Sequence, residues 1–151
     1  MQHSNDFILI IHSLFRWALL VILVLAVFRG FRGWLGNRSW TQGDKKTGMY
    51  LQIMADMQLL LGMALYIFTS HRGLKLFQST DMATIMKDMR YFAIEHPLMM
   101  ILAIVLIHVG KSRAMKQVES VKRHKTSAIF YTIALIFILS TKTFSPSKIL
   151  N

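Results

Sequence analysis

The sequence contains no cysteine. Disulfide bonds, iron–sulfur ligation by the chain and a thiolate nucleophile are therefore excluded. It also contains no glycine-rich phosphate-binding loop, no paired histidines of the metalloprotease type and no nucleophile elbow. With these motifs absent, the clues to function lie in the long apolar runs and in the few polar residues inside them.

Acidic residues are scarce, with 7 Asp and Glu against 18 Lys and Arg, which gives a formal net charge of +11. A basic balance of this size could indicate nucleic-acid binding, but the basic residues lie in short segments between apolar runs. That pattern is typical of membrane topology and of contact with the lipid bilayer and its anionic headgroups. No nucleic-acid partner is expected.

Four apolar runs are long enough to cross a bilayer, at about 7–28, 48–69, 92–110 and 126–144. No internal repeat or second domain is evident, so residues 1–151 are expected to form a single transmembrane domain. We predict an all-α, integral membrane, up-down four-helix bundle. The segment RGFRGWLG at 29–36 is expected to be a flexible basic turn after the first membrane helix.

A short amphipathic surface helix is predicted between the second and third spans. Ser79 and Thr80 can cap it, and apolar residues then recur at helical spacing, namely Met82, Ile85, Met86 and Met89. Such a helix is expected to lie flat on the outer membrane surface.

The distribution of Lys and Arg predicts the orientation. The connections 29–46 and 111–125 together hold eleven of these residues, whereas the segment 70–91 and the C-terminal end of the chain together hold six. By the positive-inside rule the two connections are cytoplasmic. We therefore expect a multi-pass protein of the bacterial inner (cytoplasmic) membrane with both termini in the periplasm.

His12 and His96 are the main candidates for a cofactor site. At a rise of ~1.5 Å per residue, they lie roughly 8 and 6 Å below the outer surface, on the first and third helices. These helices are diagonal in an up-down bundle, so the two imidazoles could be axial ligands of one haem iron. Alternatively, both are interfacial histidines without a cofactor.

Two further residues are predicted to take part in such a haem site. Gly62 lies at the level where a small residue would let the porphyrin approach a helix. Arg90 would bind the haem propionates, together with other cations of the outer connection, namely His71, Arg72 and Lys87.

Arg16 and Asp56 are charged residues at membrane depth, and they differ by only about 5 Å in depth on neighbouring helices. Because an unpaired charge is costly there, we predict a buried Arg16–Asp56 ion pair. The pair either fixes the register of the helices or, together with Gln58, forms a polar pocket for a quinone headgroup or a proton path.

The remaining histidines are expected to lie nearer to water. His3, His71 and His124 fall outside the spans and are predicted to be solvated. His108 is predicted to lie at the cytoplasmic interface, and a metal or quinone role is its alternative.

Four segments of the chain, HSLFRW, QLLLGMALY, MRYFAIEHPLMMILAIVLIHVGKS and HKTSAIFYTIALIFILS, resemble a group of small bacterial inner-membrane proteins that are described as cytochrome b-like. The group is found mainly in Bacteroidetes, and the resemblance covers nearly the whole chain. It implies a four-helix haem-b or electron-transfer protein with His12 and His96 as the matching histidines. Members of the group often carry a histidine in the second helix, where this chain has Asp56.

The leading hypothesis is a small b-type cytochrome or haem-binding membrane subunit, which transfers electrons near the outer face. It would pass them between quinol and a membrane or periplasmic partner protein. One alternative is a cofactor-free membrane subunit or assembly factor of a larger complex. Another is a quinone- or ion-handling protein that uses the central Arg16–Asp56 cluster. An electron-transfer or accessory role is favoured over a stand-alone enzyme.

Overall fold

The computed structural model describes residues 2–68, 81–84 and 91–140, and within them the fold is all-α, as predicted. Four long helices account for most of this part of the chain: α1 (Gln2–Leu35), α2 (Gln42–Phe68), α3 (His96–Lys116) and α4 (Ser120–Leu139). A single helical turn covers Met82–Thr84, and a π-helical turn, Tyr91–Glu95, leads directly into α3.

Three of the helices are long and apolar enough to cross a membrane. They contain the stretches Phe7–Leu35, Gln42–Phe68 and His96–Lys116. Helix α4 is not among them, because its first two turns carry Lys122, Arg123 and Lys125. The fourth predicted span, 126–144, begins after these cations and extends beyond the last described residue.

The helices pack in neighbouring pairs. Helix α1 lies against α2 and α4, and α3 lies against α4 and, less extensively, against α2. The core between them contains the fully buried side chains of Leu23, Leu51 and Ile107. Small residues surround these, including Ala55, Ala103 and Ala134. Alanines let neighbouring helices approach closely. A polar side chain in the interior therefore lies within reach of the next helix.

Helix α1 continues well past its predicted end. The segment 29–35 is helical, not a flexible turn, and Gly33 faces the imidazole of His124 on α4. A Cβ atom on Gly33 would overlap the His124 ring, so only glycine allows this contact. The glycine is needed for close helix packing, which is why it does not interrupt the helix.

The turn between α1 and α2 is closed by local hydrogen bonds. Asn37 follows α1 with a φ of 47°, and the Arg38 N–H donates to the Gly33 carbonyl at 3.0 Å, the pattern of a Schellman cap. At the start of α2 the Thr41 N–H donates to Asp44 Oδ2 at 2.8 Å, and the Asp44 N–H donates to Thr41 Oγ1 at 3.3 Å. This reciprocal capping box fixes where α2 begins.

Candidate functional site

His12 lies against one turn of α2. The Gln58 side chain, only 7% exposed, donates from Nε2 to the His12 carbonyl oxygen at 3.1 Å and approaches His12 Nε2 at 3.3 Å. One turn further along, a Cβ atom on Gly62 would lie 3.3 Å from His12 Cε1. Because Gly62 has no side chain, the imidazole of His12 can lie close to α2 at this point. The sequence predicts instead that a porphyrin takes this space.

His96 belongs to the first turn of α3 and lies beside the π-helical turn. Its ring centroid is 5.9 Å from that of Tyr91. The His12 imidazole interacts electrostatically with both His96 and Arg16, so the three side chains lie in one region of the fold. We refer to His12, Arg16, Gln58 and His96 as the histidine cluster.

Each histidine of this cluster has one ring nitrogen that is buried and, among the described residues, unpaired. His12 Nδ1 and His96 Nδ1 are buried, and neither has a hydrogen-bond partner within the part of the chain that the structure describes. A buried nitrogen without a partner is costly unless something else binds it. Imidazole nitrogens are common ligands of haem iron, and two of them are sufficient for axial coordination. Histidine is therefore the donor type that the predicted cofactor needs.

Arg16 and Asp56 have different neighbours from those predicted. Arg16 donates to Ser13 Oγ at 3.3 Å and lies 5.6 Å from the centre of the Trp17 ring. Asp56 instead accepts a hydrogen bond from His108, with 2.7 Å between Asp56 Oδ1 and His108 Nε2. Depth along a helix is predictable from sequence, but the direction of a side chain around the helix is not, and Asp56 faces α3.

Asp56 and His108 belong to a chain of four polar side chains between α2 and α3. The Lys111 ammonium donates to Gln52 Oε1 at 2.5 Å, and the Gln52 amide nitrogen is bonded to His108 Nδ1. Because a lysine ammonium can only donate, Gln52 must use its oxygen there and its NH₂ group towards His108. His108 Nδ1 is then an acceptor, which places the ring proton on Nε2, facing Asp56.

This α2–α3 polar chain, Lys111–Gln52–His108–Asp56, is partly exposed at the surface between the two helices, which we call its open side. The Asp56 side chain is 50% exposed and that of His108 is 34% exposed. His108 was predicted to be interfacial, but its carboxylate partner was missed. The helical spacing gave a signal that could have found it, because Gln52 and Asp56 are four residues apart on α2, and His108 and Lys111 are three apart on α3.

His124, which was expected to be solvated, is buried. Only 2% of the residue is exposed, and its ring packs at a tilt against Trp40, with 4.8 Å between the centroids. Its Nε2 lies 4.0 Å from Asp44 Oδ2, and Asp44 in turn accepts a hydrogen bond from Arg29 Nε at 2.9 Å. The continuation of α1 beyond the predicted span is what covers His124.

Several predicted features lie outside the described residues. Arg90 is one of them, as are His71, Arg72 and Lys87, the other predicted propionate-binding residues. The predicted surface helix is described only over its helical turn Met82–Thr84, where Met82 is exposed.

Comparison with known proteins gives no family for this fold and site. No protein-family model matches the chain, and neither a curated protein nor a solved structure shows significant similarity to it. The resemblance to cytochrome b-like proteins therefore stays a prediction.

Proposed function

We propose that the chain is a multi-pass protein of the bacterial inner membrane, with four spanning helices in an up-down bundle and both termini in the periplasm. The three long apolar helices support membrane insertion. The packing of α1 between α2 and α4, and of α3 beside both of them, supports a bundle in which α1 and α3 are diagonal. The excess of Lys and Arg in the segments 29–46 and 111–125 supports the orientation.

We further propose that the protein binds one haem b between His12 and His96 and is a small cytochrome or haem-binding subunit in electron transfer. The observation that carries this proposal is the pair of buried Nδ1 atoms, one on each histidine, without partners within the described residues. Haem held by two imidazoles supplies reversible one-electron chemistry. The partner would be a membrane or periplasmic redox protein.

The other residues of the histidine cluster position and tune this site. Gln58 holds the backbone of His12 through the His12 carbonyl oxygen, a bond that does not involve the ring. Gly62 leaves the space in which the ring of His12 lies. Arg16 interacts electrostatically with both histidines, and its positive charge favours the state of the site with the extra electron. Arg90 stays the proposed propionate-binding residue.

The test is a reduced-minus-oxidised absorption spectrum of the purified wild-type protein, expressed with ample haem. We expect the narrow bands of a low-spin b-type haem at a stoichiometry of one haem per chain. A folded, monodisperse and colourless preparation would contradict the proposal and would favour a cofactor-free membrane subunit.

A further inference from the structure

We propose that the open side of the α2–α3 polar chain binds a lipid-soluble hydroquinone, with Asp56 as the acceptor for one of its hydroxyl groups. This site is separate from the histidine cluster, because Asp56 faces α3 whereas Gln58, two residues later, faces His12 on α1. The choice of a hydroquinone over other hydroxyl-bearing lipids depends on the proposed electron-transfer function, since hydroquinones are electron donors that dissolve in a bilayer.

The free oxygen of Asp56 determines which chemical group the ligand must present. Oδ1 is bonded to His108, whereas Oδ2 has no partner among the residues that the structure describes, and the side chain is 50% exposed. A carboxylate at membrane depth that faces lipid is costly unless a donor covers it. Carboxylate oxygens only accept hydrogen bonds, so the ligand must donate one.

His108, Gln52 and Lys111 keep the carboxylate in this state. Lys111 fixes the orientation of the Gln52 amide, and Gln52 in turn directs the ring proton of His108 towards Asp56 Oδ1. The carboxylate is therefore held at one oxygen and presents the other. We assign Gln52 and Lys111 as positioning residues that act through His108.

An apolar strip continues from this head site along both helices. Leu60 lies one turn beyond Asp56 on α2, and Val105 lies one turn before His108 on α3. Both side chains are exposed, as is Ile101 one turn further along α3. A polar head site followed by exposed apolar side chains fits an amphiphile with a polar ring and an apolar tail.

Other lipid heads fit this chemistry less well. A phosphate group or a fatty-acid carboxylate offers acceptors and negative charge, and either would be repelled by Asp56. A neutral hydroxyl group satisfies Oδ2 without adding charge. A long-chain alcohol shares that hydroxyl chemistry with a hydroquinone, so the experiment must separate these two sources.

The experiment measures binding calorimetrically on haem-free wild-type protein in nanodiscs, with empty nanodiscs as the blank. The probe is a short-chain ubiquinol analogue, and it is compared with its dimethyl ether, in which neither oxygen can donate. We expect saturable binding of the hydroquinone and binding of the ether that is weaker by about tenfold or more. This comparison needs no variant, so it does not depend on the folding of a mutant.

A variant tests the residue itself. Asp56→Asn keeps an oxygen for His108 but presents an NH₂ group in place of Oδ2, and we expect about tenfold weaker hydroquinone binding. Glu119→Gln is the matched control, because Glu119 is a surface carboxylate bonded to Lys122. This variant should bind the hydroquinone as tightly as the wild type does.

Three outcomes would overturn the proposal: equal binding of the hydroquinone and its ether, unchanged binding in Asp56→Asn, or equally tight binding of a long-chain alcohol. Because the protein is haem-free in this experiment, a negative result here leaves the haem proposal standing. A colourless wild-type protein that still binds the hydroquinone would refute the haem proposal alone.

Discussion

Gly33 on α1 lies directly against the imidazole of His124 on α4, and a Cβ atom at this glycine would overlap the ring. Trp40 also packs against this ring, with 4.8 Å between the centroids. His124 therefore has little room to move away. This contact joins the end of α1 to the start of α4, and it explains how a histidine outside the apolar runs becomes buried.

Gly33→Ala is expected to destabilise the protein by about 1–3 kcal/mol, because the added methyl group overpacks the interface with His124. Thermal unfolding in detergent, followed by circular dichroism, measures the effect. Leu35→Ala is the control, since Leu35 is exposed and its loss should change stability by less than about 0.5 kcal/mol. The double variant Gly33→Ala/His124→Ala should lose less than the sum of its two single variants. Strict additivity would show that the two residues do not contact each other.

Thr41→Ala should destabilise the protein by about 1 kcal/mol, because Thr41 caps α2 through its hydroxyl group and is bonded to Asp44. Thr47→Ala is a matched control with the same atoms removed. The Thr47 hydroxyl donates only to the Gly43 carbonyl of its own helix, so its loss should have a small effect. Equal losses of unfolding free energy in the two variants would argue against the capping box.

Arg16→Gln should lower the midpoint potential of the proposed haem site. Removing a positive charge that acts on both His12 and His96 disfavours the reduced state, by an amount on the order of tens of millivolts. A spectroelectrochemical titration measures the potential. Arg32→Gln, at an exposed position near the other end of α1, should leave the potential unchanged. A higher potential in Arg16→Gln would contradict the proposed arrangement of charges.

The proton of the His108 ring is expected on Nε2 in the wild type, because Gln52 donates to Nδ1. Nitrogen-15 NMR of labelled histidine distinguishes the two ring nitrogens. In Lys111→Met the Gln52 amide is no longer oriented by an ammonium group, so a mixture of tautomers should appear. Lys116→Met, in the last turn of the same helix, is the control and should give the wild-type spectrum. A proton found on Nδ1 in the wild type would refute the order of hydrogen bonds along the α2–α3 polar chain.

The sequence was sufficient to predict the helical fold, because the apolar runs are long and turn signals separate them. It did not predict where α1 ends. Gly30, Gly33 and the basic residues of 29–36 have the composition of a turn, but close contact with α4 keeps this segment helical. Local propensity was overridden there by tertiary packing, which a single sequence does not reveal.

For the site residues, the sequence predicts depth along a helix but not the direction in which a side chain faces. The contact between Gly62 and the His12 ring agrees with their expected common depth, which follows directly from helical rise. The predicted partner of Asp56 was wrong, because depth leaves the facing direction open, and two residues on one helix can point to different neighbours. Gln58 faces α1 while Asp56 faces α3, a distinction that depends on how the four helices pack.

The assignment of His12 and His96 as ligands of the proposed haem is tested most directly by the low-spin haem spectrum of three single variants. His12→Ala and His96→Ala should each abolish the low-spin signal, because the loss of one axial ligand opens a coordination position on the iron. His108→Ala should retain the signal, since His108 belongs to the α2–α3 polar chain and is bonded to Asp56. Haem retained in both His12→Ala and His96→Ala, and lost only in His108→Ala, would contradict the account.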